Sequence, residues 1–262
     1  MTLEKETRTH AKIVTGLAVL SALTACQKSP PPLPHCGTGL NVRVIFGYKD
    51  ARPARFVGDR YEAQLFIQAI TEPCSIDRRD CGFTAQKAGP AIRGELFART
   101  VIRPEGCVQD ISLTVVHSSV SPDDVANRAN PFQKWATLNA QLAFTEALKG
   151  ADIVFYNGHS RSGGGPDFGP PRLEPTEHPD YPWYRKNQPG IRLIEQTFSQ
   201  VPHTPVQELG LFSCASEQLF ADRIHQTNKG VKLRLSNQLL YFSDAMSGSL
   251  DALSDVLGGR PD

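Results

Sequence analysis

Two short and almost continuously apolar segments constrain the fold most strongly: "ADIVFYN" at residues 151–157 and "ELGLF" at residues 208–212. Uninterrupted apolar runs of this length are typical of strands that are buried on both faces of a parallel sheet. A helical spacing of apolar residues lies between them, at Ile191, Ile194 and Phe198. Strands that alternate with helices imply right-handed βαβ units. We therefore expect an α/β fold with a mainly parallel sheet flanked by helices.

Residues 41–109 have a different character, and we predict that they form a β-rich N-terminal section. Their apolar runs "NVRVIFGY", "YEAQLFIQAI" and "GELFARTVI" are short and are separated by Pro, Gly and Asp, as strands commonly are. The section either forms a separate domain or adds strands to the same sheet. Two later segments, "SPDDVANRANP" at 121–131 and the stretch 166–189 with its seven prolines, lack periodicity and are predicted to be loops.

The N-terminus carries the pattern of an export signal. Basic residues precede the apolar run "IVTGLAVLSALTA", which is too short to anchor a protein across a membrane. The run ends in "LTAC", which resembles the bacterial lipoprotein processing box, so we expect a signal peptide at 1–25, lipidation of Cys26 and a proline-rich tether over 26–40. Because Gln27 follows the cysteine, the predicted location is the outer membrane of the cell envelope, facing the periplasm. An ordinary secretory signal with a chance cysteine is the alternative.

Charge and cysteine usage narrow the possible partners. The chain has 28 basic and 27 acidic residues, so it lacks the basic excess of a nucleic-acid-binding surface, and we expect no nucleic-acid partner.

Of the five cysteines after the lipidation site, four lie in the N-terminal part, where they should pair outside the cytoplasm. A Cys74–Cys81 bridge across a short loop is one expected pairing. Cys214 remains as an odd thiol, which is either buried and inert or reactive.

The segment "FYNGHSRSGGGPDFGP" at residues 155–170 offers two candidate catalytic residues, Ser160 and His159. A serine nucleophile on a tight elbow needs glycine two residues before and two residues after it, followed directly by a helix. Ser160 has Gly158 before it but Ser162 after it, and a tract of glycine and proline follows. The residues favour His159 over Ser160. The second apolar run, "ELGLF", leads to Cys214, and ligands bind at the carboxyl ends of parallel strands, so a thiol and an imidazole would meet there.

These two blocks, "DIVFYNGHS" and "LGLFSCASEQLF", resemble the signature of the caspase-fold (clan CD) cysteine peptidases, which include caspases, legumains, gingipains and clostripains. The resemblance implies a caspase-like α/β domain over 110–262, with Cys214 as the nucleophile and His159 as the general acid/base. It also implies a peptide or protein substrate, no cofactor, and an oxyanion site made by backbone amides near Cys214 and around His159–Ser160. Ser160 stands where the family usually has glycine.

Several neighbouring residues are secondary candidates. Gly163 and Gly164 would let the backbone approach a substrate closely, because glycine has no side chain. Arg161, Asp167 and Trp183 are candidates for substrate contacts. A metal site built from His159, Asp167 and His178 is not expected, because the sequence lacks the ligand spacing of known zinc motifs.

Two other function classes stay open at this level. One is a non-catalytic lipoprotein that keeps the fold as a binding or scaffold module, and the serine in place of the family's glycine is its best support. The other is a serine hydrolase that uses Ser160. Loss of activity on substitution of Cys214 would separate the peptidase from both.

Overall fold

The structure of the protein is a computed structural model that describes residues 32–49, 58–75, 78–201 and 203–258. The predicted signal peptide at 1–25, the lipidation site Cys26 and the first part of the tether lie outside these residues. Within the described ranges, no helix is both long and apolar enough to cross a membrane.

One sheet of seven strands runs through the described part of the chain. The strands are β1 (Leu40–Phe46), β2 (Thr84–Gln86), β3 (Glu95–Ile102), β4 (Val108–His117), β5 (Ile153–Asn157), β6 (Glu208–Phe212) and β7 (Lys232–Leu235). Their spatial order is β2-β3-β4-β1-β5-β6-β7. The five strands from β4 to β7 in that order pair in parallel, whereas β2 and β3 form an antiparallel edge. The predicted α/β class and mainly parallel sheet are confirmed, and the β-rich section contributes its strands to this same sheet.

Helices cover both faces of the sheet. The described helices are α1 (Asp59–Thr71), α2 (Asp124–Ala129), α3 (Gln133–Gly150), α4 (Tyr181–Asn187), α5 (Pro189–Gln200), α6 (Ser216–Thr227) and α7 (Phe242–Gly258). Side chains of α1 and α7 share one apolar core with Val44 of β1, and side chains of α3, α5 and α6 share the other with Ile45. Neighbouring residues of a strand point to opposite faces, so β1 supplies both cores from the centre of the sheet.

The run "YEAQLFIQAI" was predicted as a strand, and this prediction is wrong: it lies in α1. Its buried residues include Ala63, Phe66 and Ile70, at spacings of three and four, so they occupy one face of a helix. The β-type composition of the run concealed this periodicity. Packing of that face against the sheet decides the local structure, as tertiary context commonly does.

Both predicted loops contain a short helix. In "SPDDVANRANP", α2 begins because the Asp123 carboxylate accepts a hydrogen bond of 2.7 Å from the Ala126 amide. In the proline-rich stretch, α4 begins where the Asp180 carboxylate accepts one of 2.9 Å from the Trp183 amide. Proline is tolerated in the first turn of a helix, so Pro182 does not prevent α4.

Disulfides tie the N-terminal section to the sheet. Cys74–Cys81, the expected pairing, closes the loop after α1, and Cys36–Cys107 joins the end of the tether to the start of β4. Cys214 is the free cysteine of the described chain, and it is partly exposed. The odd thiol therefore stands apart from the disulfide framework.

Candidate functional site

The candidate site lies at the carboxyl edge of the sheet, where β5 and β6 end side by side. Asn157, the last residue of β5, pairs with Phe212, the last residue of β6. His159 and Cys214 each follow two residues after this pair, so the parallel register carries both beyond the same edge. The Gly158 amide donates to the Phe212 carbonyl at 3.3 Å and extends the pairing toward them. Two residues that are 55 positions apart in the sequence are thereby brought together.

His159 and Cys214 line the same cavity, which has a volume of about 150 Å³. Its lining comprises Lys49, Gly158, His159, Cys214, Leu240, Tyr241 and Ala245. Three adjacent strands, β1, β5 and β6, lead into it, and the segment between β7 and α7 forms its opposite wall. Tyr241 is 81% exposed and stands at the mouth of the cavity.

Cys214 occupies the turn between β6 and α6. Ala215, the next residue, has a left-handed backbone with φ +51°, and α6 starts at Ser216. The turn thereby holds the cysteine between a strand end and the first turn of a helix. Helix N-termini carry partial positive charge, and this turn places Cys214 beside the first residue of α6.

The segment that follows β7 fixes this turn from outside. The Ala215 amide donates to the Gln238 carbonyl at 2.8 Å, and the Ser236 amide donates to Ser216 Oγ at 2.8 Å. The Leu240 amide donates to Cys214 Sγ at 3.4 Å, and the thiol in turn donates to the Leu240 carbonyl over 3.6 Å. The sulfur is therefore held in place by backbone groups of a different loop.

A buried ion pair borders the thiol on the β1 side. The Lys49 side chain has no exposed surface, and its Nζ donates to Glu62 Oε2 on α1. Desolvation by burial lowers the pKa of Lys49, and the nearby negative charges of Glu62, Asp59 and Cys214 oppose that lowering. Desolvation also raises the pKa of Glu62 to about 7, although Lys49 acts in the other direction. Strongly shifted groups beside a cavity are common in functional sites.

Asp59 anchors this ion pair to the sheet. Its carboxylate is fully buried and accepts hydrogen bonds of 2.8 Å from the Ser118 and Ser119 amides, just beyond β4, and one of 3.3 Å from the Lys49 amide. The ends of β1 and β4 and the start of α1 are therefore joined at one carboxylate. The position of Lys49 follows from this anchoring.

The loop after His159 folds back on itself instead of lining the cavity. Gly165 lies against the His159 carbonyl so closely that a Cβ would clash with it, and Gly164 lies against the Tyr184 ring in the same way. Gly163 has φ +91° within a 3₁₀ turn over Arg161–Gly163. The glycines, including the predicted substrate-approach residues Gly163 and Gly164, permit this compact packing.

Two predicted substrate-contact residues bond to each other in this loop. Arg161 Nε donates to Asp167 Oδ2 at 2.7 Å, and the Arg161 side chain is 1% exposed. The Tyr156 hydroxyl donates to the Asp167 carbonyl at 3.0 Å and also lies 3.3 Å from the His159 carbonyl. The pair and the tyrosine hold the backbone that carries the histidine.

Trp183, the third predicted contact residue, lies on α4. Its ring packs edge-on against Tyr184, with centroids 5.1 Å apart, and faces the Arg172 guanidinium at 5.3 Å. His178 lies in the turn before α4, where its carbonyl accepts the Glu174 amide at 2.8 Å. Neither side chain is among the residues that line the cavity. The described chain contains no group of three or more His, Cys, Asp or Glu side chains placed to hold a metal ion.

Ser160 has the geometry of a loop residue and not of a nucleophile elbow. It is 5% exposed, its φ is −81°, and its carbonyl accepts the Gly163 and Gly165 amides at 3.0 and 2.8 Å. The elbow of serine hydrolases is strained and opens into a helix. The strand–turn–helix arrangement with a strained turn occurs instead at Cys214 and Ala215.

Sequence reasoning missed Lys49, Glu62, Leu240 and Tyr241. Lys49 follows the apolar strand "NVRVIFGY", so the strand-end argument used for His159 and Cys214 would have found it. Glu62 was concealed because its helix was predicted as a strand. Leu240 and Tyr241 carry no signal of their own, because a loop reaches the site only through the tertiary fold.

The chain was compared with protein-family models and with curated proteins. No protein-family model matches the chain, and no curated protein matches it significantly.

Proposed function

We propose that this protein is a caspase-like cysteine peptidase in which Cys214 is the nucleophile and His159 the general acid/base. One observation carries the proposal: the two residues, far apart in sequence, follow adjacent parallel strands and line one solvent-accessible cavity. A thiol with a neighbouring imidazole is the minimal unit of nucleophilic catalysis by cysteine. The seven-stranded, mainly parallel sheet with helices on both faces is compatible with the caspase-like fold that the motifs suggest.

The reaction divides between these two side chains. His159 takes the thiol proton, and the Cys214 thiolate attacks the carbonyl carbon of the scissile peptide bond. As the tetrahedral intermediate collapses, the C–N bond breaks and His159 returns the proton to the leaving amine. A water molecule, deprotonated by His159, then attacks the thioester and releases the acid product, which restores the thiol. No oxidant, metal or cofactor enters this scheme.

Two backbone amides are candidate donors for the oxyanion of this reaction. Among the described residues, no acceptor bonds the amide of Cys214 or of Ser160. Free amides beside the nucleophile and the base are the donors that an oxyanion site requires. A backbone amide can serve with serine as well as with glycine, so Ser160 in place of the family's glycine is compatible with this role.

Cleavage of a peptide library by the purified protein tests the proposal. The library products are identified by mass spectrometry for wild type, Cys214→Ala and Ser160→Ala, without reductant so that the disulfides stay intact. The proposal predicts cleavage by wild type and Ser160→Ala and none by Cys214→Ala. Cleavage that survives Cys214→Ala would refute it, and loss confined to Ser160→Ala would favour the serine hydrolase. Absence of cleavage by all three would favour a binding module.

We also infer that the peptidase is lipid-anchored through Cys26 in the cell envelope. The two disulfides support an oxidising compartment, because such bonds persist mainly outside the cytoplasm. A membrane-attached enzyme would act on peptides or proteins at that surface. Metabolic labelling with an alkyne fatty acid should mark the wild-type chain and not Cys26→Ser. Equal labelling of both would contradict the anchor.

A further inference from the structure

A second cavity lies under α3, on the face of the sheet where an arginine projects from the central strand. Arg43 stands between Asn41 and Ile45 on β1, and Ile45 belongs to the apolar core of that face. On the side of the cavity opposite Arg43, α3 contributes the small residues Ala143 and Ala147 and ends at Gly150. The space between this helix and the sheet is therefore not filled. A partly enclosed cavity of about 150 Å³ remains, and it shares no lining residue with the cavity at Cys214.

Arg43 is poorly neutralised in this place. Its guanidinium makes one hydrogen bond, from NH1 to Thr114 Oγ1 at 2.7 Å, among the described residues. Desolvation by burial lowers the pKa of Arg43, and the charge of Glu146 opposes this only from beyond hydrogen-bond distance. A partly buried cation without a bonded counter-charge is costly. Most of the five N–H donors of Arg43 therefore have no protein acceptor.

The last carbonyls of α3 are the obvious alternative partners for Arg43, since cations stabilise helix C-termini. Within the described part of the chain, Arg43 donates no hydrogen bond to them. Neutralisation of the helix end therefore does not account for the position of the guanidinium.

A second arginine increases the positive charge of the cavity. Arg93 also lines it, and its Nε donates to both carboxylate oxygens of Glu146, at 3.1 and 3.2 Å. Glu146 is thus engaged by Arg93 and compensates only one of the two arginines. With Arg43 and Arg93 at +2 and Glu146 at −1, the lining carries a surplus of one positive charge.

The cavity also offers a buried acceptor. Asn41 lines this cavity, and its Oδ1 is shielded from solvent and bonds to no donor among the described residues. A buried acceptor without a partner is unfavourable. A ligand that is negatively charged and also carries an O–H group would satisfy both this oxygen and the arginine.

We propose that the cavity is a binding site for a small oxyanion of the phosphate type, held by Arg43 with Thr114 and Asn41. The planar guanidinium matches the oxygens of such an anion with two parallel N–H donors. The Thr114 hydroxyl adds a further polar group at the same end, and a hydrogenphosphate O–H can donate to Asn41 Oδ1. Binding would relieve the desolvated charge of Arg43, so the anion stabilises the folded protein by mass action.

Inorganic phosphate is the probe that tests this site. The melting temperature of the purified protein is measured with increasing sodium phosphate and with sodium chloride at the same ionic strength, and binding is measured by titration calorimetry. Phosphate should raise the melting temperature saturably by a few degrees beyond the chloride effect. Arg43→Met should weaken phosphate binding about tenfold or more, because it removes charge-assisted hydrogen bonds. Arg43→Lys should be intermediate, since it keeps the charge but not the fork.

Arg172→Met is the control, because that arginine is exposed and lies outside this cavity; it should bind phosphate as the wild type does. Arg43→Met should fold, since it replaces an uncompensated charge by an apolar chain of similar length, and its melting temperature in chloride checks this. A phosphate effect that is absent in the wild type, or that is unchanged in Arg43→Met, would overturn the proposal. None of these readouts depends on peptidase activity.

Discussion

The backbone of Leu240 contacts the Cys214 sulfur through both of its polar groups, with its amide N 3.4 Å and its carbonyl O 3.6 Å from Sγ. The carbonyl can accept the proton of a neutral thiol, and the amide can donate to a thiolate. Deprotonation in the proposed reaction would weaken the first contact and strengthen the second.

Leu240→Pro removes this amide N–H and should slow alkylation of Cys214 at mildly acidic pH by roughly fivefold, the equivalent of one hydrogen bond of ~1 kcal/mol. Leu240→Ala keeps the amide and is the matched control for the lost leucine side chain. The rates are measured with iodoacetamide and mass spectrometry. Equal rates in the two variants would show that the amide has no such effect.

Glu62 should make the stability of the protein depend on pH in a defined window. Burial raises its pKa to about 7, above the ordinary value near 4.3, so the folded state binds more protons than the unfolded state between these values. The contribution of Glu62 is fully present below about pH 4.3 and is lost as the pH rises through about 7, at no more than about 1.4 kcal/mol per pH unit.

Glu62→Gln removes this titration. The free energy of unfolding of the variant minus that of the wild type should therefore rise between about pH 4.3 and about pH 7 and level off at higher pH. Urea unfolding at a series of pH values measures that difference. Glu72→Gln is the control, because Glu72 is exposed, and its difference should stay flat. A Glu62→Gln curve parallel to wild type would contradict the raised pKa.

Asp167 should act mainly on the loop that carries His159. Asp167→Asn leaves the buried Arg161 without its carboxylate, and removal of one partner of a buried pair costs about 3–5 kcal/mol. Asp180→Asn is the matched control, because Arg172, the partner of Asp180, is 58% exposed, and asparagine still caps α4. Its cost should stay below about 1 kcal/mol. If Asp167→Asn changed the Michaelis constant without loss of stability, a direct substrate contact would be the better account.

The strands that were best predicted from the sequence are those that lie inside the sheet and are buried on both faces. β5 and β6 are buried at every position and are apolar except at Asn157 and Glu208, so their ends, and hence His159 and Cys214, were found without a structure. The helix α1 was missed because only one of its faces is buried. Its aromatic and branched residues have strand-like composition, and only their spacing indicates a helix.

The rest of the site depends on contacts between distant segments. Lys49 follows β1 and Glu62 lies in α1, and they meet where Asp59 joins the ends of β1 and β4. Arg161 and Asp167 are polar residues beside a catalytic candidate, which favours a substrate role in the sequence, yet burial pairs them with each other. No local pattern distinguishes a buried ion pair from two exposed charges.

Selective alkylation of Cys214 tests whether this thiol forms a catalytic pair with His159. Wild type, His159→Ala and His178→Ala are treated with iodoacetamide at mildly acidic pH without reductant, and the modified cysteine is identified by mass spectrometry. His178 is an exposed histidine outside the cavity and serves as the control. A thiolate stabilised by a neighbouring imidazolium reacts where an ordinary thiol is almost inert. We expect rapid labelling of Cys214 in wild type and in His178→Ala, and loss of this labelling in His159→Ala. A Cys214 that stays unreactive in all three proteins, or reacts equally in all three, would contradict the catalytic pair.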